Sequence, residues 1–444
     1  MERFSLQMQK IRDYLFPKGT LRDRAFSVWE REGFSEFLKR GSSLVFRKIQ
    51  QLVFLRFGNS EKNVQFIPLP ELPQPQPDKV DIICFSVIQW GFRFQRPQQI
   101  LTQFANDGHR IFYISPKFGG FNNLNLRVEA ISDRIFELTL PGDDTLAMYR
   151  DDLGDLTLSY STRALHEFIR HAKITNAICM LHHPFWMPLA HLLKEQYGWK
   201  IVYDCMDNVS GFEVANSKII ALENELVSES DLIVATSQSL YQRLHEENSN
   251  CILVPNAADY NHFSYLPSHP ESHISKISQP IIGYFGAISE WFDIPVIRHA
   301  AIEHPEWSFV LIGDTWGANI KSLKKLPNIH LLGEKPYSEL PYYLTSFDVA
   351  LIPFLRNPLT EATNPVKVFE YLSAGKPVVA TSLPELQQIK DLILLYTTPD
   401  EFVANVELAL KTNGEDLIEK RQMFARENTW EKRYQIFKRS IELL

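Results

Sequence analysis

Thr363-Asn364-Pro365-Val366-Lys367-Val368-Phe369-Glu370-Tyr371-Leu372-Ser373-Ala374-Gly375-Lys376-Pro377-Val378-Val379-Ala380-Thr381 reads as one helix and the strand that follows it. Asn364 suits the N-cap and Pro365 the first helical position, where its missing N–H costs nothing and its fixed φ is already helical. Gly375 is expected to end the helix, because a left-handed residue there closes the last turn without a Cβ penalty. Pro377-Val378-Val379-Ala380 is a short apolar run, the pattern of a strand covered on both faces of a parallel sheet. The mouth of this helix therefore opens beyond the carboxyl ends of the strands, the side on which open α/β sheets bind ligands.

Lys367 and Glu370 are three residues apart and share one face near that mouth, where free N–H groups and the helix dipole favour an anion. On this reading a phosphate sits at the helix N-terminus with Lys367 beside it. The Glu370 carboxylate, one turn deeper, then accepts hydrogen bonds from two neighbouring hydroxyls of the kind a ribose offers. The competing account is an exposed i,i+3 ion pair worth roughly a few tenths of a kcal/mol.

Asn364-Pro365-x-Lys367-x-x-Glu370-Tyr371-Leu372-x-Ala374-Gly375-x-Pro377-Val378-Val379 resembles the donor-site helix of glycosyltransferase family 4, retaining sugar-nucleotide transferases of GT-B fold. In that family the helix glutamate holds the donor ribose, a role the resemblance gives to Glu370. The family's second glutamate, eight positions earlier, falls on Ala362, with Glu361 one place out, so the match is to the branch that reads Asn-Pro-x-Lys-x-x-Glu. A second stretch, Val254-Pro255-Asn256-Ala257-Ala258-Asp259-Tyr260-Asn261-His262-Phe263, resembles the family's interdomain V-P-N-G-x-D-x-x-x-F segment, with Ala257 in place of Gly. The resemblance covers residues 80–444.

From residue 80 the chain alternates apolar strand-like runs with amphipathic helical ones, which implies right-handed βαβ units and doubly wound parallel sheets. One series occupies residues 80–265 and a second residues 280–428. An α/β protein of GT-B type is expected, two Rossmann-like domains facing across a cleft: an N-terminal acceptor domain, a C-terminal donor nucleotide-sugar domain and a crossover helix over 429–444. An irregular stretch, 118–160, is rich in Asn, Asp and Gly and is expected to carry an antiparallel excursion or an acceptor loop.

The 444 residues are 45% hydrophobic and 22% charged, ordinary globular material, and the net charge of −7 does not advertise nucleic acid as a partner. Residues 1–57 depart from this, with 12 Lys and Arg against 6 Asp and Glu. This extension reads as helical. Val45, Ile49, Leu52 and Val53 form an apolar stripe among basic residues, which suits an anionic membrane surface, although Arg56 interrupts the stripe. A helical hairpin packed on the body or on a partner is the alternative. Residues 58–79 hold Pro68, Pro70, Pro73, Pro75 and Pro77, a spacing that forbids helix and predicts a stiff linker holding the basic segment away from the body.

Cys84, Cys179, Cys205 and Cys251 each sit in an apolar run without a C-x-x-C pairing, so neither a zinc site nor a disulfide frame is indicated and a reducing cytoplasm is expected. No run of eighteen apolar residues and no apolar leader appears. Cytoplasmic residence follows, peripheral on the inner face of the membrane if residues 1–57 bind it.

Loops after strands supply the remaining candidates. Gln89-Trp90-Gly91-Phe92-Arg93-Phe94-Gln95-Arg96-Pro97 brings Gly91, Arg93 and Arg96 to the start of a helix, a site for pyrophosphate or acceptor, or else a solvated basic loop. His182-His183-Pro184 lines up with the family's His-Glu-Pro, which makes His182 the counterpart of the histidine near the donor's anomeric carbon. A structural histidine is the alternative, and adjacent strand residues pointing to opposite faces do not share a metal. Asp207, just beyond a buried run, can position an acceptor hydroxyl, whereas Asp204 reads as internal. Gly283 and Gly286 allow close backbone approach, and Gly333 and Lys335 resemble the loop that faces the nucleotide base. The family's usual Arg is Ala287 here and its Lys-Gly pair is replaced near Trp291-Phe292, which moves the phosphates onto Lys367 with Arg93 or Arg96.

The expected activity is therefore retaining transfer of a sugar from a nucleotide diphosphate sugar to a glycan or lipid-linked acceptor in cell-surface polysaccharide synthesis, with no metal and no cofactor. A GT-B sugar-nucleotide epimerase and a catalytically silent, membrane-associated subunit of a polysaccharide assembly complex are the alternatives.

Overall fold

The computed structural model describes residues 70–121, 124–265 and 274–444. The expectations for residues 1–57 and for the first part of the proline-rich linker lie outside these residues. Two sheets organise the rest. The first contains β1 (Asp81–Phe85), β2 (Ile111–Ile114), β3 (Arg127–Ala130), β4 (Ile135–Thr139), β5 (Ala177–Leu181), β6 (Lys200–Cys205), β7 (Leu232–Ala235) and β8 (Cys251–Leu253). Their spatial order is 3-4-2-1-5-6-7-8, and every pairing is parallel except β3 with β4. The helices between and after them are α1 (Arg96–Asn106), α2 (Gly154–His171), α3 (Met187–Tyr197), α4 (Ser217–Glu229), α5 (Gln238–Glu247) and α6 (Tyr260–Ser264).

The second sheet contains β9 (Ile281–Phe285), β10 (Ser308–Ile312), β11 (Ile329–Gly333), β12 (Val349–Ile352), β13 (Val378–Thr381) and β14 (Leu394–Tyr396), in order 11-10-9-12-13-14 and wholly parallel. With it go α7 (Ile294–Glu303), α8 (Leu340–Thr345), α9 (Pro358–Glu361), α10 (Val366–Ser373), α11 (Pro399–Lys411), α12 (Glu415–Glu427) and α13 (Trp430–Ile441). The chain is thus an α/β protein of two Rossmann-like halves, as the alternation implies.

Side-chain alternation divides the first core between the two faces of its sheet. Ile83, Phe85, Phe112 and Ile114 pack on one face, Ile82, Cys84, Ile111 and Tyr113 on the other. The irregular stretch does contain an antiparallel excursion, β3 on β4. The strand β4 itself was not expected, because its apolar run is broken by Glu137, whose carboxylate accepts from the Trp90 N–H at 3.4 Å.

The last helix, α13, packs on α1 of the first half. Tyr434 and Phe437 meet the Phe104 ring edge-on at 4.8 and 5.8 Å. Asp107, at the end of α1, accepts from Tyr434 Oη at 2.6 Å and from Lys79 and Lys438 at 2.9 Å. Residues 73–79 of the linker do not stand off from the body. The Pro73 carbonyl accepts from Arg110 at 3.2 Å, Lys79 bonds Asp107, and Leu72 packs on the core. Proline removed the helix here, and one carbonyl it left unpaired, that of Pro73, meets a buried guanidinium.

That guanidinium belongs to a pair at the base of β1 and β2. Arg110 donates to Asp81 at 2.8 and 2.5 Å, and the two residues are 1% and 4% exposed. Removing one member of such a pair strands the other charge in the interior. Asp81→Ala is expected to lower unfolding free energy by about 3–5 kcal/mol, measured by urea denaturation followed through tryptophan fluorescence.

Candidate active site

Loops beyond the carboxyl ends of both sheets enclose a cleft of about 700 Å³. Its first-sheet wall is the 87–97 segment after β1, Tyr149, and Asp207 and Phe212 after β6. Its second-sheet wall is built from residues after β9, β10, β11 and β12 together with the mouth of α10.

The helix α10 begins one residue later than the sequence predicts. Pro365 occupies the cap position and no side chain caps the first turn. Asn364 is spent elsewhere: its Nδ2 donates to Glu385 at 2.7 Å and its Oδ1 accepts from the Asn256 N–H at 3.2 Å. Asn256 in turn donates to the Asn364 carbonyl at 2.6 Å, and Glu385 accepts from the Gln238 N–H of α5 at 2.8 Å. So Asn364 joins the two halves, and the first N–H groups of α10 are left for the cleft. Gly375, with φ of 69°, closes the helix as expected.

Lys367 and Glu370 do not form the exposed ion pair. Among the described residues no carboxylate lies within ion-pair distance of Lys367; its Nζ lies 5.6 and 5.9 Å from the ring centroids of Tyr284 and Phe354, and burial lowers its pKa. Burial pushes Glu370 up to about 7 against the opposing charge of Lys367. Both groups are thus held desolvated, with binding capacity unused. Gly286, at φ 135°, is the floor beneath Lys367: a Cβ there would overlap Lys367 Cε, and one on Gly313 would overlap the Gly286 carbonyl. Lys335 lines the cleft with its Nζ 5.6 Å from the Tyr343 ring centroid, and the Gly333 carbonyl accepts from Gly313 at 2.9 Å.

Gly91 and Arg93 lie on the opposite wall. Arg93 Nε donates across the cleft to Glu334 at 2.6 Å, and Phe94 meets Tyr337 at 5.3 Å. Arg96, expected at the phosphates, is instead consumed within the first half. Its guanidinium grips Asp204 at 2.8–3.0 Å and donates to the Val254 carbonyl at 2.9 Å. His182, expected beside the transferred sugar, lies behind the wall, its ring nitrogens 3.7 and 3.8 Å from Cys84 Sγ and Nε2 3.8 Å from Asp204. Burial pulls it down to about 4, so it is neutral. Asp207 does face the cleft; burial pushes it up to about 6.

The sequence reading missed Tyr149, Phe212 and Tyr337. Tyr337 follows Gly333 and Lys335 in the loop after β11, a position that flags it. Tyr149 and Phe212 come from irregular segments with no periodicity to mark them.

A family model described as Glycosyl transferases group 1 matches residues 279–412. TuaH of Bacillus subtilis (strain 168), a glycosyltransferase named for teichuronic acid biosynthesis, is 30% identical over 275 residues, covering 57% of this chain and 69% of TuaH. The chain belongs to the group 1 glycosyltransferases. Sucrose-phosphate synthase from Thermosynechococcus elongatus has the same fold, with a TM-score of 0.66 at 14% identity over 82% of this chain and 100% of that one. HepE of Anabaena, solved with UDP and glucose, gives 0.62 at 14% identity over the same shares. This group 1 glycosyltransferase therefore has the GT-B fold, and its cleft lies between the two halves.

The carboxylate of Asp207 costs the glycosyltransferase stability. Its folded pKa, about 6, exceeds the ordinary 3.8, so the folded state holds the extra proton between those values and loses stability as pH rises through that window. Asp207→Asn is expected to raise stability at pH 8 by about 1–2 kcal/mol, after allowance for cleft water, with the gain vanishing below about pH 4. Thermal unfolding across pH checks both the sign and the window.

Proposed function

We propose that this group 1 glycosyltransferase moves a sugar, with retention, from a nucleotide diphosphate sugar to a glycan or lipid-linked acceptor in cell-surface polysaccharide synthesis. The observation that carries the proposal is the mouth of α10, where an uncapped helix N-terminus, a lysine that among the described residues has no carboxylate within ion-pair distance, and a buried carboxylate that accepts no hydrogen bond from them converge over a glycine floor. A diphosphate meets the first two and a ribose diol the third. The teichuronic acid named for TuaH supports a cell-surface glycan as the product class.

In this reaction the acceptor oxygen forms a bond to the anomeric carbon as the bond from that carbon to the phosphate oxygen breaks. The electron pair leaves with the diphosphate, which takes the acceptor's proton on the same face. Lys367 and the dipole of α10 stabilise the leaving charge, the task a metal ion performs in other transferases, while Lys335 stays with the loop that faces the nucleotide base. Arg93 joins them once a phosphate competes with Glu334 for it. His182, behind the wall, acts through packing.

Glu370→Ala is expected to weaken nucleotide-sugar binding by about 1.5–3 kcal/mol with the fold intact, the range for hydrogen bonds to a charged group. For Lys367→Ala, calorimetry is expected to show a larger loss for the nucleoside diphosphate than for the nucleoside. Equal losses would leave Lys367 without a phosphate.

Residues 1–57 complete the proposal as a peripheral anchor that keeps the enzyme cytoplasmic and on the inner face of the membrane. Each basic residue near an anionic surface contributes about 1 kcal/mol, screened by salt. Deleting the segment is expected to release the protein from vesicles containing phosphatidylserine while transfer to a soluble acceptor persists. Binding that survives deletion, or that ignores salt, would place the contact elsewhere.

A further inference from the structure

The donor reading leaves one part of the cleft idle. Asp207, two residues beyond β6, points its carboxylate at the cleft, and among the described residues nothing donates a hydrogen bond to it or pairs with it. It does not serve the local turn: the short 3₁₀ helix Val209–Gly211 starts at Asn208 without a side-chain cap, and Asn208 bonds the Pro358 carbonyl and the Ser210 hydroxyl instead. Nor does the neighbouring arginine neutralise it, because Arg96 is closed on Asp204.

Two aromatic rings stand beside this carboxylate. Tyr149 and Phe212 line the same wall with centroids 4.6 Å apart and planes inclined by 48°. His183 meets Tyr149 at 4.5 Å, nearly edge-on, and fixes the ring from behind. Tyr149 has no hydrogen-bond partner among the described residues, and its pKa is raised by burial first and by the nearby Asp207 charge second. A carboxylate and a phenol with free hydrogen-bonding capacity, set against apolar ring surface, match a sugar ring. A pyranose offers a C–H face to aromatics and hydroxyl donors at its rim, and an ionised carboxylate accepts from two of them.

We propose that Asp207, Tyr149 and Phe212 form a saccharide subsite for the acceptor, and that it takes a neutral pyranose in preference to an acidic one. A uronate or a phosphosugar would bring a second negative charge beside Asp207, and among the described residues no cation pairs with that carboxylate, the nearby Arg96 being closed on Asp204. The word acceptor rests on the transferase reading; the recognition of a neutral sugar ring does not.

Saturation-transfer NMR on the full chain at pH 8, with methyl glucoside, methyl galactoside and methyl glucuronoside as probes, tests this directly. The neutral glycosides are expected to give signals at least about 5-fold stronger than the glucuronoside, a modest consequence of like charges at close range. Phe212→Leu is expected to weaken the neutral signals several-fold, and Asp207→Asn to remove the discrimination; thermal unfolding and affinity for uridine and guanosine diphosphates confirm that the site is otherwise intact. Equal wild-type signals from neutral and acidic probes, or neutral signals unmoved by both substitutions, would overturn the subsite. If the glycoside pattern holds and no nucleotide binds, the subsite stands and the transferase reading falls.

Discussion

The cleft's first wall hangs on the buried fork between Arg96 and Asp204. Arg96 starts α1 and Asp204 lies near the end of β6, and the same guanidinium reaches the Val254 carbonyl at the entry to the second half. One side chain therefore sets the spacing of the two loops that carry Arg93 and Asp207 and the point at which the chain leaves the first sheet. An arginine suits this post because its planar fork satisfies a carboxylate and a carbonyl together, which offsets the cost of burying charge. His182 and Cys84 fill the space behind it, so the histidine's neutrality is part of the packing: burial disfavours a charged imidazole there, against the pull of Asp204, and Arg96 adds to the penalty.

The second wall is tied to the first by amides. Asn364 and Asn256 exchange hydrogen bonds across the interdomain passage, and Glu385 links Asn364 to the start of α5. The segment that opens α10 is thus held by the other half of the molecule. The exchange between Asn364 and Asn256 is between neutral groups, so it keeps its geometry as salt and pH vary, whereas the Arg93 to Glu334 contact, nearer the solvent, is the kind of link that a charged ligand can trade away.

Much of this was legible from residue spacing. The 363–381 stretch announced a helix, its glycine stop and a doubly covered strand, because each signal is local and the apolar runs of a parallel sheet leave little ambiguity. Lys367 and Glu370 could be placed on one face by counting, but counting could not show that they would decline to pair, since the rings set around Lys367 are brought from β9 and from the second residue beyond β12. Arg96 and His182 turn to inward partners that spacing could not show, for a shared reason. Polar residues just past a strand can point outward to a ligand or inward to a buried partner, and only the arrival of Asp204 from β6 decides between them. Asn364 shows the same limit at a helix start: its capping role was given up for a partner 108 residues away. Strand β4 escaped notice because one glutamate broke its alternation, and Tyr149 and Phe212 because irregular segments carry no period.

The contact between Gly286 and Gly313 bears on how such an enzyme can be re-tuned. Backbone lies against backbone there, with Lys367 laid over the top, so this floor holds no side chain that a mutation could enlarge, shrink or recharge without dislodging the lysine. The shape of the floor itself is locked into main-chain geometry. The opposite wall is assembled from side chains on loops that the buried arginine merely positions, and there a single exchange alters shape or charge while leaving the scaffold alone. Anyone redesigning the protein's choice of sugar has one malleable surface and one rigid one, and the rigid one is best treated as a fixed datum from which the other is measured.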